Sequence, residues 1–424
     1  MIQDVGLNRF DAFWNPAFST PFPPNSKFQT LKMNRRAFLQ SAAGLAAFST
    51  GSVSRATAQI DRPRKAAHPT MKAAVIGHSG RGRYGHSLEV IFSNRPGIEI
   101  VAVADPVEGG RKKVQQAIGA LRTYADYREM LERERPNLVA VTPRWTEHRH
   151  AMVTAALAVG AHVLCEKPFT HSLEDADDML AQAKRAKRKL AVCHPVRLAP
   201  ATVYLKSRIE EGMIGELRSI RANGKQDKRA GGEDLLVHGA HLFDLLRLFA
   251  GDATEVKARV LHEGRDITLA DVRKGDYDTE IGPIAGDDVE AWFKMTRGVA
   301  VHFTTRRRPS APAGPYSIEF TGTKGAFRLE CGYNPVIKMQ HGNEWRPLEG
   351  NPAAAMSAAD AERNGANGRV VDDWLAAIAE DREAQCSGYG GMKFVEMVVG
   401  IYAAALSRQT VALPLKNRRH PLLG

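Results

Sequence analysis

The chain has 424 residues, of which 43% are hydrophobic and 25% charged. This composition excludes a disordered or fibrous protein and leaves room for two domains with full cores. The net charge is +12, but residues 1–70 hold nine basic and only three acidic residues, so half of the excess lies in a sixth of the chain. The positive charge of the rest of the chain is typical of a solvated surface, and no nucleic-acid partner is expected.

Residues 1–58 are predicted to be a leader. A twin-arginine pair, Arg35-Arg36, precedes an apolar run over residues 42–53 and then a small-residue cleavage site, Ala56-Thr57-Ala58. This order is typical of a twin-arginine export signal over residues 33–58. The run is too short and too rich in Ser, Gly and Thr to anchor the chain in a bilayer. We therefore expect a periplasmic protein without a stable membrane anchor; the alternative is a basic helix followed by a linker.

A nucleotide-binding domain is predicted over residues 71–195. Its first strand, residues 72–76, runs directly into a glycine-rich loop that resembles GxGxxG, with serine at the second glycine position. A register that starts at Gly80 fits the motif better but begins three residues late, and the tight turn must follow the strand directly. Helix N–H groups from about Gly82 onward are expected to meet a phosphate, with help from the serine hydroxyl. The predicted cofactor-binding residues of this loop are Gly77, Ser79, Gly80, Arg81 and Gly82.

The second strand, residues 98–104, ends in Asp105, 23 residues after Gly82. A carboxylate at this place accepts the ribose hydroxyls of NAD in dinucleotide-binding domains. A basic run, residues 111–113, follows soon after and offers partners for a 2′-phosphate, so NADP remains possible. Asp105 would repel that phosphate, and NAD is therefore the favoured cofactor.

Further strands and helices alternate along the domain. The strand over residues 138–141 is closed by Thr142-Pro143, and the strand over residues 163–165 ends in Glu166-Lys167-Pro168. This alternation predicts an α/β fold with a doubly wound parallel sheet of the Rossmann type. Ligands bind outside the carboxyl ends of such strands, so we expect Lys167 to face the crevice.

The second domain, residues 196–424, is predicted to be α+β. A helix is expected to begin near Gly231, with Asp234, His238 and His241 away from its apolar stripe. That spacing also suits a metal site, although three ligands on one helix are a weak signal and no metal is expected; His238 alone would be an ordinary core histidine. Later strand-like runs predict a large, mostly antiparallel, open sheet, whose free face would contact substrate or a second subunit in a homo-oligomer. These runs cover residues 256–260, 289–295, 299–304, 316–321 and 326–329.

Four cysteines are spread along the chain without CxxC spacing, so a zinc or redox motif has no support. Two of them, Cys165 and Cys193, close apolar runs. We predict that they are buried and take no part in the chemistry.

Taken in order, these features resemble the Gfo/Idh/MocA oxidoreductase family. The likeness extends over roughly residues 71–415 and rests on the glycine loop, Asp105, and several short motifs: Thr142-Pro143 with His148, Glu166-Lys167-Pro168, residues 197–200 and residues 239–244. The resemblance implies that Lys167 and His241 face the nicotinamide and a substrate hydroxyl. Hydride would leave the carbinol carbon while a base takes the hydroxyl proton. Lysine suits that task if burial or positive charge lowers its pKa; the alternative is a surface lysine paired with Glu166.

The sequence departs from the family at Val237, where many members carry an aspartate. Asp234 or His238 would then take its place, or the proton relay differs. The favoured function is an exported NAD(P)-dependent oxidoreductase acting on a sugar, polyol or related hydroxy compound. An NAD-dependent glycoside hydrolase on the same fold is an alternative. A nucleotide-binding protein without turnover is another, suggested by Ser79 and Val237.

Overall fold

The structure is a computed structural model that describes residues 71–275, 281–308, 310, 316–332, 334–350 and 365–424. The predicted leader and its export signal, residues 1–58, lie outside the described residues.

A six-stranded parallel sheet forms the first half of the molecule, in the order β3-β2-β1-β4-β5-β6. Strand β4 is fully buried and β5 is buried apart from His162, because helices cover both faces of the sheet; this explains their apolar sequences. This sheet confirms the doubly wound prediction. The strands are β1 (Met71–Ile76), β2 (Ile98–Ala104), β3 (Arg122–Tyr124), β4 (Leu138–Val141), β5 (His162–Cys165) and β6 (Leu190–Val192).

Four α-helices connect these strands. Two of them begin at side-chain caps: Asp126 accepts the N–H of Arg128, and Ser172 accepts the N–H of Asp175. The helices are α1 (Glu108–Ile118), α2 (Tyr127–Glu134), α3 (Arg149–Ala158) and α4 (Leu173–Ala186).

The connection from β1 to β2 differs from the prediction. We expected regular helix from about Gly82, but the structure has only a short 3₁₀ helix, Gly85–Val90. Gly82 has φ +68°, and His86 and Ser87 also lie in the left-handed region with φ 48° and 59°. Because these angles are incompatible with a right-handed helix, the prediction of helix N–H donors from Gly82 onward is wrong.

A ten-stranded sheet forms the second half, in the order β17-β16-β15-β14-β7-β13-β12-β8-β18, with β9 paired to β8. All neighbours are antiparallel except β7 and β13. Along β12, Ala291 and Phe293 are buried while Trp292 between them is 42% exposed. One face therefore packs on the core and the other is open, as predicted.

The strands of this sheet are β7 (Leu217–Asn223), β8 (Ala253–His262), β9 (Arg265–Asp266), β12 (Asp288–Met295), β13 (Ala300–Arg306), β14 (Ser317–Gly322), β15 (Ala326–Glu330), β16 (Val336–His341), β17 (Glu344–Pro347) and β18 (Val411–Ala412). A separate two-stranded ribbon consists of β10 (Arg273–Lys274) and β11 (Pro283–Ile284).

Helices α5 (Pro200–Glu210), α6 (Gly232–Val237) and α7 (Gly239–Ala250) accompany this sheet. The single helix expected from Gly231 is thus two helices that meet at His238. The buried side of α7 packs on the sheet through aromatic contacts, with ring centres 4.8 Å apart for Phe243–Phe303 and 4.4 Å for Phe249–Phe320.

The last two helices, α8 (Gly365–Ala379) and α9 (Gly388–Ser407), return to the parallel sheet. Trp374 of α8 is fully buried in the same core cluster as Val75 and Leu138. The N–H of Val192 in β6 donates to the carbonyl of Cys386, at 2.9 Å. Among the described residues, α9 alone has the length and hydropathy of a membrane span, but most of its residues are buried against other elements, as in a core helix.

Candidate active site

The carboxylate of Asp105, at the end of β2, is fully buried and bonded within the protein. Its Oδ2 accepts the N–H of Ser79 at 2.8 Å, the Ser79 hydroxyl at 2.6 Å and the Tyr84 hydroxyl at 2.9 Å. Its Oδ1 accepts the N–H of Val107 at 2.9 Å. Burial and the adjacent Asp105 raise the pKa of Tyr84 above its usual value. The Ser79 hydroxyl, expected to meet a phosphate, bonds Asp105 in this structure.

The glycine loop is packed closely by aromatic rings. A Cβ at Gly77 would overlap the ring of Tyr84, and a Cβ at Gly82 would lie 2.7 Å from the main-chain nitrogen of Trp145. Neither position accepts a larger residue without movement of these neighbours. Sequence reasoning missed Tyr84; an aromatic residue inside a run of glycines was the available signal.

Trp145 joins the loop to the ends of β4 and α3. The guanidinium of Arg81 lies 4.6 Å from its ring centre, and the ring of His148 lies 3.7 Å away. Nearby, the Thr142 hydroxyl donates to the carbonyl of Ile76 at 2.8 Å, which ties β4 to β1. The predicted residues Arg81, Thr142 and His148 are thus brought together around the end of β4. Gly80 lies beside them, next to Val107 and His78.

Arg149, at the start of α3, is a fully buried cation that the sequence analysis overlooked. It donates to the carbonyl oxygens of Pro143, Glu166 and Pro168. A planar guanidinium can satisfy several carbonyls at once, and here it fixes the chain after β4 to the chain after β5. The backbone on both sides of Lys167 is held by this one side chain. Nothing in the local sequence distinguishes Arg149 from a surface arginine at the start of a helix.

Lys167 lies directly after β5 and is 7% exposed, unlike a surface lysine. Its Nζ donates to the carbonyl of Val237 at 3.2 Å. Burial lowers the pKa of Lys167; Glu166 opposes that effect, while the positive charge of Arg144 adds to it. Val237, which stands where many members of the resembled family carry an aspartate, therefore contacts Lys167 through its main-chain oxygen.

Glu166 is 1% exposed and pairs with Nδ1 of His86 rather than forming a surface pair with Lys167. Burial alone would raise the pKa of Glu166, but the charges of His86, Lys167 and Arg149 outweigh it and lower the pKa. The main-chain oxygen of His86 accepts a hydrogen bond from Asn367, at 2.7 Å. His86, with its left-handed backbone, was not predicted from sequence.

Asp234 and His238 form a hydrogen-bonded pair where α6 meets α7. Asp234 is fully buried, and its Oδ1 lies 2.6 Å from Nδ1 of His238. The other oxygen accepts the Thr305 hydroxyl at 2.9 Å and the N–H of Lys225 at 3.2 Å. Burial lowers the pKa of His238 although Asp234 opposes the shift. The ring of His238 lies 5.2 Å from that of Tyr316.

His241, in the first turn of α7, is half-buried, and its buried Nδ1 has no hydrogen-bond partner in the part of the chain that the structure describes. Burial and then the positive charge of Lys167 hold its pKa well below the usual range. Its ring lies 6.2 Å from Tyr316 and 6.1 Å from His194, a buried histidine that sequence reasoning missed. The motif Cys193-His194-Pro195, at the end of the apolar run over residues 190–193, was the available signal.

The predicted residues therefore form two groups at the carboxyl edge of the parallel sheet. One surrounds Asp105 and the glycine loop, and the other contains Lys167, Glu166, His238 and His241, with Asp234 behind His238. Within the described part of the chain, no three His, Cys, Asp or Glu side chains converge as a metal site. All four cysteines are free and buried, which confirms the burial predicted for Cys165 and Cys193.

The two groups fit a nicotinamide dinucleotide. The Asp105 carboxylate follows β2 and the glycine loop follows β1. The buried amine of Lys167 and a buried ring nitrogen of His241 lie nearby, at the same edge of the sheet. In this structure Tyr84 covers Gly77, and its hydroxyl donates to Oδ2 of Asp105.

Family comparisons agree with this architecture. Residues 71–194 match the model of an oxidoreductase family with an NAD-binding Rossmann fold, and residues 202–328 match the GFO/IDH/MocA C-terminal domain. A D-apiose dehydrogenase of Paraburkholderia graminis is 27% identical over 332 residues, which cover 75% of this chain and 84% of that protein. A glycosyl hydrolase family 109 protein of Streptomyces coelicolor is 27% identical over 429 residues, covering 87% and 84%.

Among solved structures, an oxidoreductase from Agrobacterium radiobacter, in complex with NAD⁺, L-tartaric acid and magnesium, superposes with a TM-score of 0.63. It is 20% identical and covers 81% of this chain and 98% of its own. At that identity the likeness shows the shared fold.

Proposed function

The chain belongs to the Gfo/Idh/MocA oxidoreductase family, and from that premise we propose that it oxidises one hydroxyl of a sugar, polyol or related compound with NAD, using Lys167 as the base. The observation that carries the proposal is the environment of Lys167: 7% exposed, at the carboxyl edge of the parallel sheet, with its pKa lowered by burial.

Lys167 takes the proton in this scheme. A lysine with an ordinary pKa is protonated at neutral pH and cannot accept a proton. Burial favours the neutral amine, and the nearby charge of Arg144 favours it further. Nζ then accepts the proton of the substrate hydroxyl as the carbinol carbon loses hydride. A bound nicotinamide supplies the hydride acceptor.

The two imidazoles place the substrate. His241 remains neutral over the working pH range because its pKa lies well below the usual value, so it accepts or donates a hydrogen bond without adding charge. His238 is oriented by Asp234 at 2.6 Å. Many family members carry an aspartate at the position of Val237. In this chain the Asp234 carboxylate, three residues earlier, takes that role by acting through the His238 imidazole.

Asp105 selects the cofactor in the proposal. Its carboxylate accepts the adenine ribose hydroxyls once Tyr84 has turned away, and it disfavours a 2′-phosphate. The glycine loop, with Ser79, Gly80 and Arg81, lies against the pyrophosphate.

Two wider proposals accompany this one. The twin-arginine motif at Arg35-Arg36 supports export of the folded enzyme to the periplasm, testable by N-terminal sequencing of the mature protein from a periplasmic fraction. The open face of the large sheet, with Trp292 exposed, supports a homo-oligomer, testable by light scattering.

The function is tested by incubating the purified full chain with NAD and a panel of sugars and polyols that includes D-apiose, and following NADH absorbance. We expect at least one carbohydrate to reduce NAD, with Lys167→Met inactive but still binding NAD. A panel without NADH formation, or an active Lys167→Met variant, would contradict the proposal.

A second candidate is an NAD-dependent glycoside hydrolase, supported by the relative of that name whose match covers 87% of this chain. It is distinguished by nitrophenyl glycosides. Release of nitrophenol with no net change in NAD, and no oxidation of free carbohydrates, would favour the hydrolase over the dehydrogenase.

A further inference from the structure

His86 has a backbone conformation that requires an explanation. Its φ is 48° and that of Ser87 is 59°, so two successive residues other than glycine lie in the left-handed region. Such angles cost free energy for a residue with a Cβ, and proteins keep them mainly at functional sites. The proposed function gives His86 no part so far.

The side chain of His86 contacts the residue that precedes the proposed base. Its Nδ1 bonds Oε1 of Glu166, whose carboxylate is buried, while the imidazole is partly exposed. Arg149 donates to the main-chain oxygen of Glu166, so it does not take the place of His86 at the carboxylate. Because an ionised carboxylate only accepts hydrogen bonds, Nδ1 of His86 carries the proton, and the tautomer of this imidazole is fixed by its partner.

The loop around His86 is fitted to this contact. A Cβ at Gly85 would lie 2.6 Å from Cγ of Glu166, so the chain can approach the carboxylate only with glycine there. The N–H of Gly85 donates to the carbonyl of Thr142 at 2.9 Å. Asn367 of α8 donates to the main-chain oxygen of His86 at 2.7 Å. The left-handed segment is therefore held from two sides with its imidazole on Glu166.

The contact bears on Lys167 through charge. Burial would raise the pKa of Glu166, but the interactions with His86 outweigh it, with further help from Lys167 and Arg149. Burial lowers the pKa of Lys167, and the charge of Glu166 opposes that effect. His86 thus favours the anion at Glu166, and the anion limits the loss of proton affinity at the lysine.

Other groups also act on Lys167. The positive charges of Arg144 and Arg229 lower its pKa further, and the thiol of Cys193 opposes them. A substitution at position 86 leaves all three of these side chains in place. A change in the titration of Lys167 in such a variant therefore reports the state of Glu166.

We propose that His86 is a positioning residue that holds the buried Glu166 carboxylate as an anion beside Lys167. The role of His86 rests on the proposed function in one respect, since the anion matters to turnover only if Lys167 is the base.

The test is the pH dependence of kcat/KM of the full chain, with any substrate found for the enzyme. His86→Gly removes the imidazole, whereas His86→Asn keeps an N–H donor at about the place of Nδ1; glycine and asparagine both accept the left-handed backbone. Without the anion, Lys167 releases its proton at lower pH, so the acid limb of His86→Gly should lie at lower pH than that of the wild type. His86→Asn should restore most of the wild-type position.

Glu166→Gln should move the acid limb in the same direction. His86→Gly added to Glu166→Gln should give no further shift, because the two side chains act as one pair. The matched control is His150→Ala, which removes an imidazole that is 33% exposed and pairs with Asp178 at 2.7 Å; it should leave the limb in place.

An acid limb of His86→Gly that stays in place or moves to higher pH would overturn the proposal, as would a further shift in the double variant or an equal shift in His150→Ala. If His86→Gly does not fold, Glu166→Gln decides, since an unmoved limb there shows that the anion does not act on Lys167.

A second readout needs no substrate. In the full chain labelled with ¹³C-glutamate, the side-chain carboxyl signal of Glu166 is assigned by its loss in Glu166→Gln. This carboxyl should titrate at higher pH in His86→Gly than in the wild type, because burial then acts without the imidazole. An unchanged titration in a folded His86→Gly variant refutes the role of His86. The measurement involves no turnover, so its result is separate from a failure to oxidise any carbohydrate.

Discussion

Two neighbouring groups at the edge of the parallel sheet treat their buried polar atoms in opposite ways. Around Asp105, one carboxylate collects hydrogen bonds from two hydroxyls and two main-chain N–H groups. Around Lys167, the described residues give the amine one carbonyl at 3.2 Å and offer no partner to buried ring nitrogens of His241 and His194.

The difference separates a structural role from a reactive one. A polar group whose hydrogen bonds are all formed holds a loop in one shape, and a ligand has to replace one of those bonds to reach it. Unsatisfied buried groups are costly, and proteins keep them where a substrate or proton will supply the missing bond. We therefore propose that the closed group at Asp105 receives the nucleotide and that the open group at Lys167 carries out the chemistry.

Removal of Lys167 tests the open group most severely. Lys167→Met should lower kcat/KM about a thousandfold, because a general base is worth that order of rate. NAD affinity should stay within a few-fold of wild type by isothermal titration calorimetry. Lys189→Met, which removes a lysine paired with Asp381, serves as control and should retain full activity. Loss of activity in both variants would show that the effect is not specific to the site.

Removal of the Asp105 carboxylate tests the closed group. Asp105→Ala leaves the donors of Ser79, Tyr84 and Val107 buried without their acceptor and should cost about 3 kcal/mol of unfolding free energy in urea. The variant should also bind NAD more weakly, and its preference for NAD over NADP should be smaller than that of the wild type. Stability equal to that of the wild type would show that the bonds at Asp105 carry little weight.

The charge of Arg144 should set the pH dependence of the open group. A positive neighbour disfavours the ammonium form and lowers the pKa of Lys167, so Arg144→Met should raise it. Since the base must be neutral, activity is lost as pH falls through this pKa. We therefore expect the acid limb of kcat/KM to move to higher pH in the variant. Arg135→Met, at an exposed helix end, should leave the limb in place; a downward shift in Arg144→Met would contradict the assignment.

The smallest expected effect comes from Tyr84→Phe. It removes one of the bonds to Asp105 and should change the unfolding free energy by about 1 kcal/mol or less. Because the Tyr84 hydroxyl occupies the carboxylate that a ribose needs, NAD should bind about threefold more tightly, in keeping with loss of one competing hydrogen bond. Weaker binding would indicate that Tyr84 contacts the nucleotide directly.

Much of this organisation could be predicted from the sequence. The alternation of apolar runs and amphipathic segments predicts the parallel sheet, since buried strands and one-sided helices have different periods. The position of Lys167 follows from the end of β5. The split of the predicted helix at His238 could not be predicted, because residues 232–250 keep one apolar stripe across the break.

The interior of the site was less predictable. Arg149 donates to the carbonyls of Glu166 and Pro168, and His86 pairs with the Glu166 carboxylate. These partners lie far away in the sequence, so the local sequence of Arg149 and His86 carries no mark of their role. Even Ser79 was assigned to a phosphate because its position in the loop says nothing of the Asp105 carboxylate that it meets in space.

The return of α8 to the parallel sheet has a consequence for the order of folding during synthesis. Trp374 completes a core whose strands begin at residue 71, so part of one apolar face of the first-made sheet stays uncovered until α8 has been synthesised. Exposed apolar surface on a nascent chain invites association with other chains, and it is the kind of surface that chaperones hold. The parallel sheet is thus synthesised first, but its core is complete only after α8 has packed on it.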